Sequence, residues 1–248
     1  MSKPTLLMIH GLAGSLDYFG AAARITHAEV HTFDLLGYGE QRDVAQDRLT
    51  LGEQALHVAS RIAALPDTPV WLLGYSMGGA VAMLVADQRP ERVAGIINVE
   101  GNFTLKDAFW AQKIVTKSPR EWSEVYQVMR RDLPACLAKW GIEPNAQRIA
   151  WLDLLLDHQP PETVYAMSQA ILEETADPFY LDAVRRVVAR GVPLHLIAGE
   201  RSAAGWDVPT FVRQAALSYI EIANAGHLMM LEEPAAFCQV VDSIVTPG

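Results

Sequence analysis

Ser76 sits in Gly74-Tyr75-Ser76-Met77-Gly78-Gly79, and His227 sits far downstream in Asn224-Ala225-Gly226-His227-Leu228. A serine hydroxyl is a poor nucleophile on its own, and an imidazole that removes its proton makes it a good one. The imidazole needs a carboxylate on its second nitrogen, to fix the tautomer and stabilise the imidazolium. Two carboxylates are candidates, Glu100 in Asn98-Val99-Glu100-Gly101-Asn102 and Asp207 in Gly205-Trp206-Asp207-Val208-Pro209. Such a set performs acyl transfer through a covalent serine intermediate, and it calls for no metal and no organic cofactor.

The neighbouring residues say how Ser76 would be presented. Residues 70–73 read as a buried strand and 80–86 as a run of helix formers, so Gly-x-Ser-x-Gly falls at a strand-to-helix turn. A sharp turn of this kind strains the serine backbone, and Gly74 and Gly78 leave it the space. It also aims the start of the next helix at the reacting centre, where the Met77 amide and the helix dipole would stabilise an oxyanion. A merely glycine-rich turn with an unremarkable serine has no need of a strand before it and a helix after it.

Six short apolar runs, at residues 5–9, 30–34, 70–73, 93–99, 193–198 and 218–222, are expected as strands. Apolar runs alternating with helical patterns predict an α/β fold, a mostly parallel doubly wound sheet with helices on both faces. From 101 to 190 the pattern is helical throughout, as in Trp122, Val125, Tyr126, Met129 and Leu133 on one face. The expected organisation is one domain: a core of residues 1–100 and 191–248, and a helical lid of residues 101–190 over the carboxyl edge of the sheet. Pro160-Pro161 marks a turn between lid helices. Phe103, Phe109, Trp110, Trp122, Tyr126, Trp140, Trp151 and Tyr165 could wall a pocket there, though for any single one of them packing within the lid is the better reading.

Several segments in this order resemble the α/β-hydrolase family. His10-Gly11-Leu12-Ala13-Gly14-Ser15 resembles the family's His-Gly turn after the first central strand, and the resemblance implies that the Leu12 amide is the second oxyanion donor. His10 is then expected to be a buried histidine that fixes the turn, not a proton carrier. Asp34-Leu35-Leu36-Gly37-Tyr38-Gly39 resembles a structural loop of the family, and His227 lies where the family carries its catalytic histidine. The family commonly has Gly-x-x-Asp after the fifth of these strands, whereas this chain has Gly199-Glu200-Arg201-Ser202. Glu100 resembles the strand-end acid of some haloalkane dehalogenases. It is preferred to Asp207, because a strand end holds a charge rigidly and a long loop must first be ordered.

With 20 basic and 29 acidic residues the net charge is -9, which argues against nucleic acid and acidic membrane as the main partner; a small-molecule substrate is expected, and the charge sits more easily with a neutral or cationic one. The N-terminus shows no signal-peptide pattern, and Cys136 and Cys238 are in no metal or disulfide spacing, so a cytoplasmic location is expected. His27 and His31 flank Glu29 but lack a zinc-binding order, and His57, His158 and His195 are expected to be structural or exposed. The expected activity is cleavage of an ester-like bond by a serine hydrolase. The alternatives are a carbon–carbon bond hydrolase of the meta-cleavage type, a thioesterase, and a non-catalytic binding protein, the last encouraged only by Ser202.

Overall fold

The computed structural model describes residues 3–246. Its strands are Thr5–Ile9 (β1), Glu29–Thr32 (β2), Val70–Tyr75 (β3), Val93–Val99 (β4), Leu194–Gly199 (β5) and Ser218–Ile222 (β6). They form one sheet in the order β2-β1-β3-β4-β5-β6, and every pairing is parallel. Parallel neighbours require crossovers, and the intervening helices cover both faces. β3 and β4 are accordingly buried along nearly their whole length, while β2 and β6, at the edges, are only partly so.

The strand order sets where a site can form. The chain leaves β1 for β2 on one side and leaves β3 for β4 on the other, so the loops after β1 and β3 diverge and open a crevice. β2 ends at Thr32, short of the expected residue 34, because Asp34 is committed to loop contacts. One of its carboxylate oxygens accepts from the Glu40 amide at 2.8 Å and the other lies 2.7 Å from His158 Nε2.

Between β4 and β5 the described chain is helical, with Phe109–Val115, Pro119–Arg131, Leu133–Lys139, Ala146–Asp157, Pro161–Ala176 and Pro178–Ala189. Ser118 and Glu121 cap Pro119–Arg131 reciprocally, and its buried face carries Trp122 and Tyr126. The apolar stripe expected to run on to Leu133 is broken at Asp132, whose side chain caps a new helix by accepting from the Ala135 amide. Pro178–Ala189 packs against Met77–Gln88, with Arg186 and Arg190 both paired to Asp87.

The loop after β1 is set by His10, which is 1% exposed. Its Nδ1 donates to Gly11 O at 2.9 Å, and its Nε2 accepts from the Leu35 amide at 3.2 Å, so the ring is neutral and joins the loops after β1 and β2. Burial pushes its pKa down to about 4 against the opposing Gly11 bond. The unfolded chain therefore takes up this proton near pH 6.5 and the folded one only near pH 4, so stability is lost as pH falls through that window. Denaturant unfolding at pH 7.5 and pH 4.5 should show His10→Asn losing about 2–3 kcal/mol less than wild type over that step. Equal losses would refute the assignment.

Candidate active site

β3 runs directly into the helix Met77–Gln88, and Ser76 at the junction adopts φ 52°, ψ −122°. This is a left-handed conformation that an L-residue keeps only when its surroundings impose it. A Cβ on Gly74 would lie 2.3 Å from the Gly78 carbonyl oxygen, and one on Gly78 would lie 2.2 Å from that of Ile9. The turn can close this tightly only with glycine at both places. Ser76 is tied down by its amide, which donates to Val99 O at 2.9 Å, and by its carbonyl, which accepts from Gly79 and Asn102.

Glu100 follows β4, beside this turn, with φ 42° and 6% exposure. Its Oε2 lies 2.6 Å from His227 Nδ1. Its Oε1 accepts from the Gly199 amide at 2.8 Å and from Ser202 Oγ at 2.5 Å. Burial pushes the carboxyl upward in pKa, but the bonds from His227, Ser202 and Gly199 outweigh it and hold the group below its ordinary value. It stands as a carboxylate facing the imidazole. Asp207 is engaged elsewhere: its carboxylate accepts from Thr104 Oγ1 at 2.8 Å and lies 3.7 Å from Lys106 Nζ.

The His227 ring packs at 5.0 Å against Tyr75 and edge-on at 5.8 Å against Phe109. Ser76 and His227 line one cavity of about 320 Å³, with no direct hydrogen bond between their side chains among the described residues. The amides of Leu12 and Met77 donate to no backbone acceptor among the described residues. Tyr38 Oη donates to Leu12 O at 3.0 Å and so holds the peptide unit that follows the Leu12 amide.

The cavity wall is apolar, with Leu16, Trp110, Trp140, Leu152 and Leu155 among its residues. Its ionisable members besides His227 and two tyrosines are Asp107 and Glu232, and among the described residues neither lysine nor arginine lines it. Of the aromatic residues singled out from the sequence, Phe109, Trp110 and Trp140 reach the cavity. Trp122 and Tyr126 instead bond to Pro161 O and Leu156 O inside the insertion, Tyr165 bonds to Lys117 O, and Phe103 stacks on Trp206. Tyr18, Asn102, Asp107 and Glu232 were not foreseen at the site. None lies in a periodic or motif position, so only the fold brings them there.

His27 Nδ1 lies 2.8 Å from Thr246 Oγ1 and His31 pairs with Glu29, so those two histidines are engaged separately. The described residues include no group of three or more His, Cys, Asp or Glu placed to hold a metal ion, and no helix long and apolar enough to cross a membrane.

The family model described as the alpha/beta hydrolase family matches residues 6–240. A 2-succinyl-6-hydroxy-2,4-cyclohexadiene-1-carboxylate synthase of Klebsiella pneumoniae (strain 342) is 31% identical over 241 residues, covering 94% of this chain and 90% of its own. A pimeloyl-[acyl-carrier protein] methyl ester esterase of Sodalis glossinidius is 28% identical over 253 residues, with 95% and 91% covered. Among solved structures, a thermophilic esterase from Thermogutta terrifontis superposes with a TM-score of 0.69 at 22% identity, over 99% of this chain and 90% of the esterase. With the family model spanning nearly all of the described residues and the strand order and serine turn as observed, the chain belongs to the alpha/beta hydrolase family.

Proposed function

We propose that this hydrolase cleaves a carboxylic ester of a small, largely apolar substrate, with Ser76 as nucleophile, His227 as general base and Glu100 as the acid that orients it. The observation that carries this reading is the 2.6 Å contact between His227 Nδ1 and Glu100 Oε2 at the cavity Ser76 lines. A carboxylate on Nδ1 leaves Nε2 unprotonated, free to take the Ser76 proton as Oγ attacks the carbonyl carbon. The oxyanion falls to the amides of Leu12 and Met77. His227 returns the proton to the departing alkoxide, and a water then repeats the sequence to release the acid.

The cavity wall supports an ester over the chemistry of the Klebsiella relative, whose name ends in a carboxylate. A carboxylate bound in an apolar enclosure needs a cation beside it. Here the wall offers Asp107 and Glu232 and no lysine or arginine, which favours a neutral substrate. A protein that only binds ligand has no use for an imidazole bonded to a buried carboxylate next to a strained serine.

A fluorophosphonate should label wild-type protein at Ser76 and leave folded Ser76→Ala unlabelled, as intact-mass spectrometry would show; unlabelled wild type would remove the serine-enzyme reading. Toward a short p-nitrophenyl ester, Glu100→Gln should lose about 10³–10⁴-fold in kcat, whereas Asp207→Asn should stay within about threefold of wild type. The reverse ranking would transfer the role to Asp207. p-Nitrophenyl butyrate should exceed the p-nitrophenyl monoester of glutaric acid by at least about tenfold in kcat/KM, since the second carries a carboxylate the wall cannot pair. Equal values would show that the wall does not exclude anions.

A further inference from the structure

The segment after β5, Gly199-Glu200-Arg201-Ser202, lies where the acid is commonly found in this family, yet none of its side chains enters the steps above. All three of its side chains nevertheless end on the backbone before His227 or on Glu100. Glu200 Oε2 accepts from the Asn224 amide at 2.8 Å. The Arg201 amide donates to Ala225 O at 3.0 Å, and its guanidinium donates to Asn224 O and pairs with Glu232. Glu232, with a side chain 5% exposed, accepts in turn from the Gly226 amide at 2.8 Å. Residues 224–226 are thus gripped on four backbone groups, including Asn224 at φ 60°, just before His227.

Ser202 acts on the other partner. Its hydroxyl carries one proton and lies 2.5 Å from Glu100 Oε1 but 3.2 Å from Gly199 O, so the donation goes to the carboxylate. With the Gly199 amide on the same oxygen, the carboxylate is stopped from rotating and Oε2 is left for His227. We propose that residues 200–202 are a clamp in which Ser202 is a positioning residue for the Glu100 carboxylate and Arg201, through Glu232, for the backbone that carries His227. The inference rests on the proposed roles of Ser76, His227 and Glu100.

The rate of Ser76 labelling by a fluorophosphonate, followed against pH, tests the clamp without knowledge of the substrate. Ser202→Ala takes a donor from the ionised carboxylate, so the Glu100–His227 pair holds a proton more tightly. Its labelling should slow about tenfold at neutral pH, with the acid limb moved to higher pH, and Ser202→Thr should restore both. Arg201→Lys keeps the charge but cannot fork between Asn224 O and Glu232, so labelling should slow by at least about threefold with the acid limb unmoved.

Rates within twofold of wild type for both variants would overturn the clamp. So would slowing in Ser202→Ala with an unmoved acid limb, or slowing that Ser202→Thr does not relieve. Absence of labelling in the wild type is a different result, which removes the proposed function and the clamp together.

Discussion

Ser76 holds a backbone conformation that costs an L-residue about 1–3 kcal/mol, and the fold around it is arranged so that no other is available. β3 lies between β1 and β4, so the carbonyls at the end of β1 block any side chain at Gly78, and Val99 of β4 accepts the Ser76 amide. The helix that starts at Met77 is buried along nearly its whole first three turns, which prevents the turn from relaxing by shifting it. The strain at one residue is met by packing spread over three strands and a helix.

The same strand order explains the partnership of two residues separated by 127 positions in the chain. β5 pairs with β4 and β6 with β5, so the loops after all three strands share the carboxyl edge of the sheet. Glu100 leaves β4 at a positive φ and is met there by the Gly199 amide, Ser202 and His227. A buried carboxylate with three donors loses little by leaving water, and that is why it stays charged beside the imidazole. Asp207 emerges from the same edge but is drawn away by Thr104, Lys106 and its own amide, which donates to Asp107.

Much of this was legible in the residues. The Gly-x-Ser-x-Gly turn declares itself because strand, glycines and helix formers are contiguous, and the central strands do so because burial on two faces demands unbroken apolar runs. The rigidity of a strand end favours Glu100 over Asp207 from the residues alone, whereas the Ser202 bond to Glu100 depends on which strands are neighbours. The aromatic residues of the insertion were likewise indistinguishable by sequence. Trp110 and Trp122 sit edge to face at 6.1 Å, yet one reaches the cavity and the other bonds within the helices. The end of β2 was misread by two residues, because the pull of His158 on Asp34 comes from a distant part of the chain.

That distant part also meets the turn after β1. Gln159 Oε1 accepts from the Gly14 amide at 2.7 Å, the Gly39 amide donates to His158 O, and Thr163 donates to Gly37 O. The insertion is thereby fastened at Gly14 to the loop that carries the Leu12 amide, and at Gly37 and Gly39 to the loop after β2. A swing of these helices away from the sheet would load the Gly14 contact, two residues from that amide. The helices that wall one side of the cavity and the backbone proposed to steady a reacting oxygen are therefore mechanically joined.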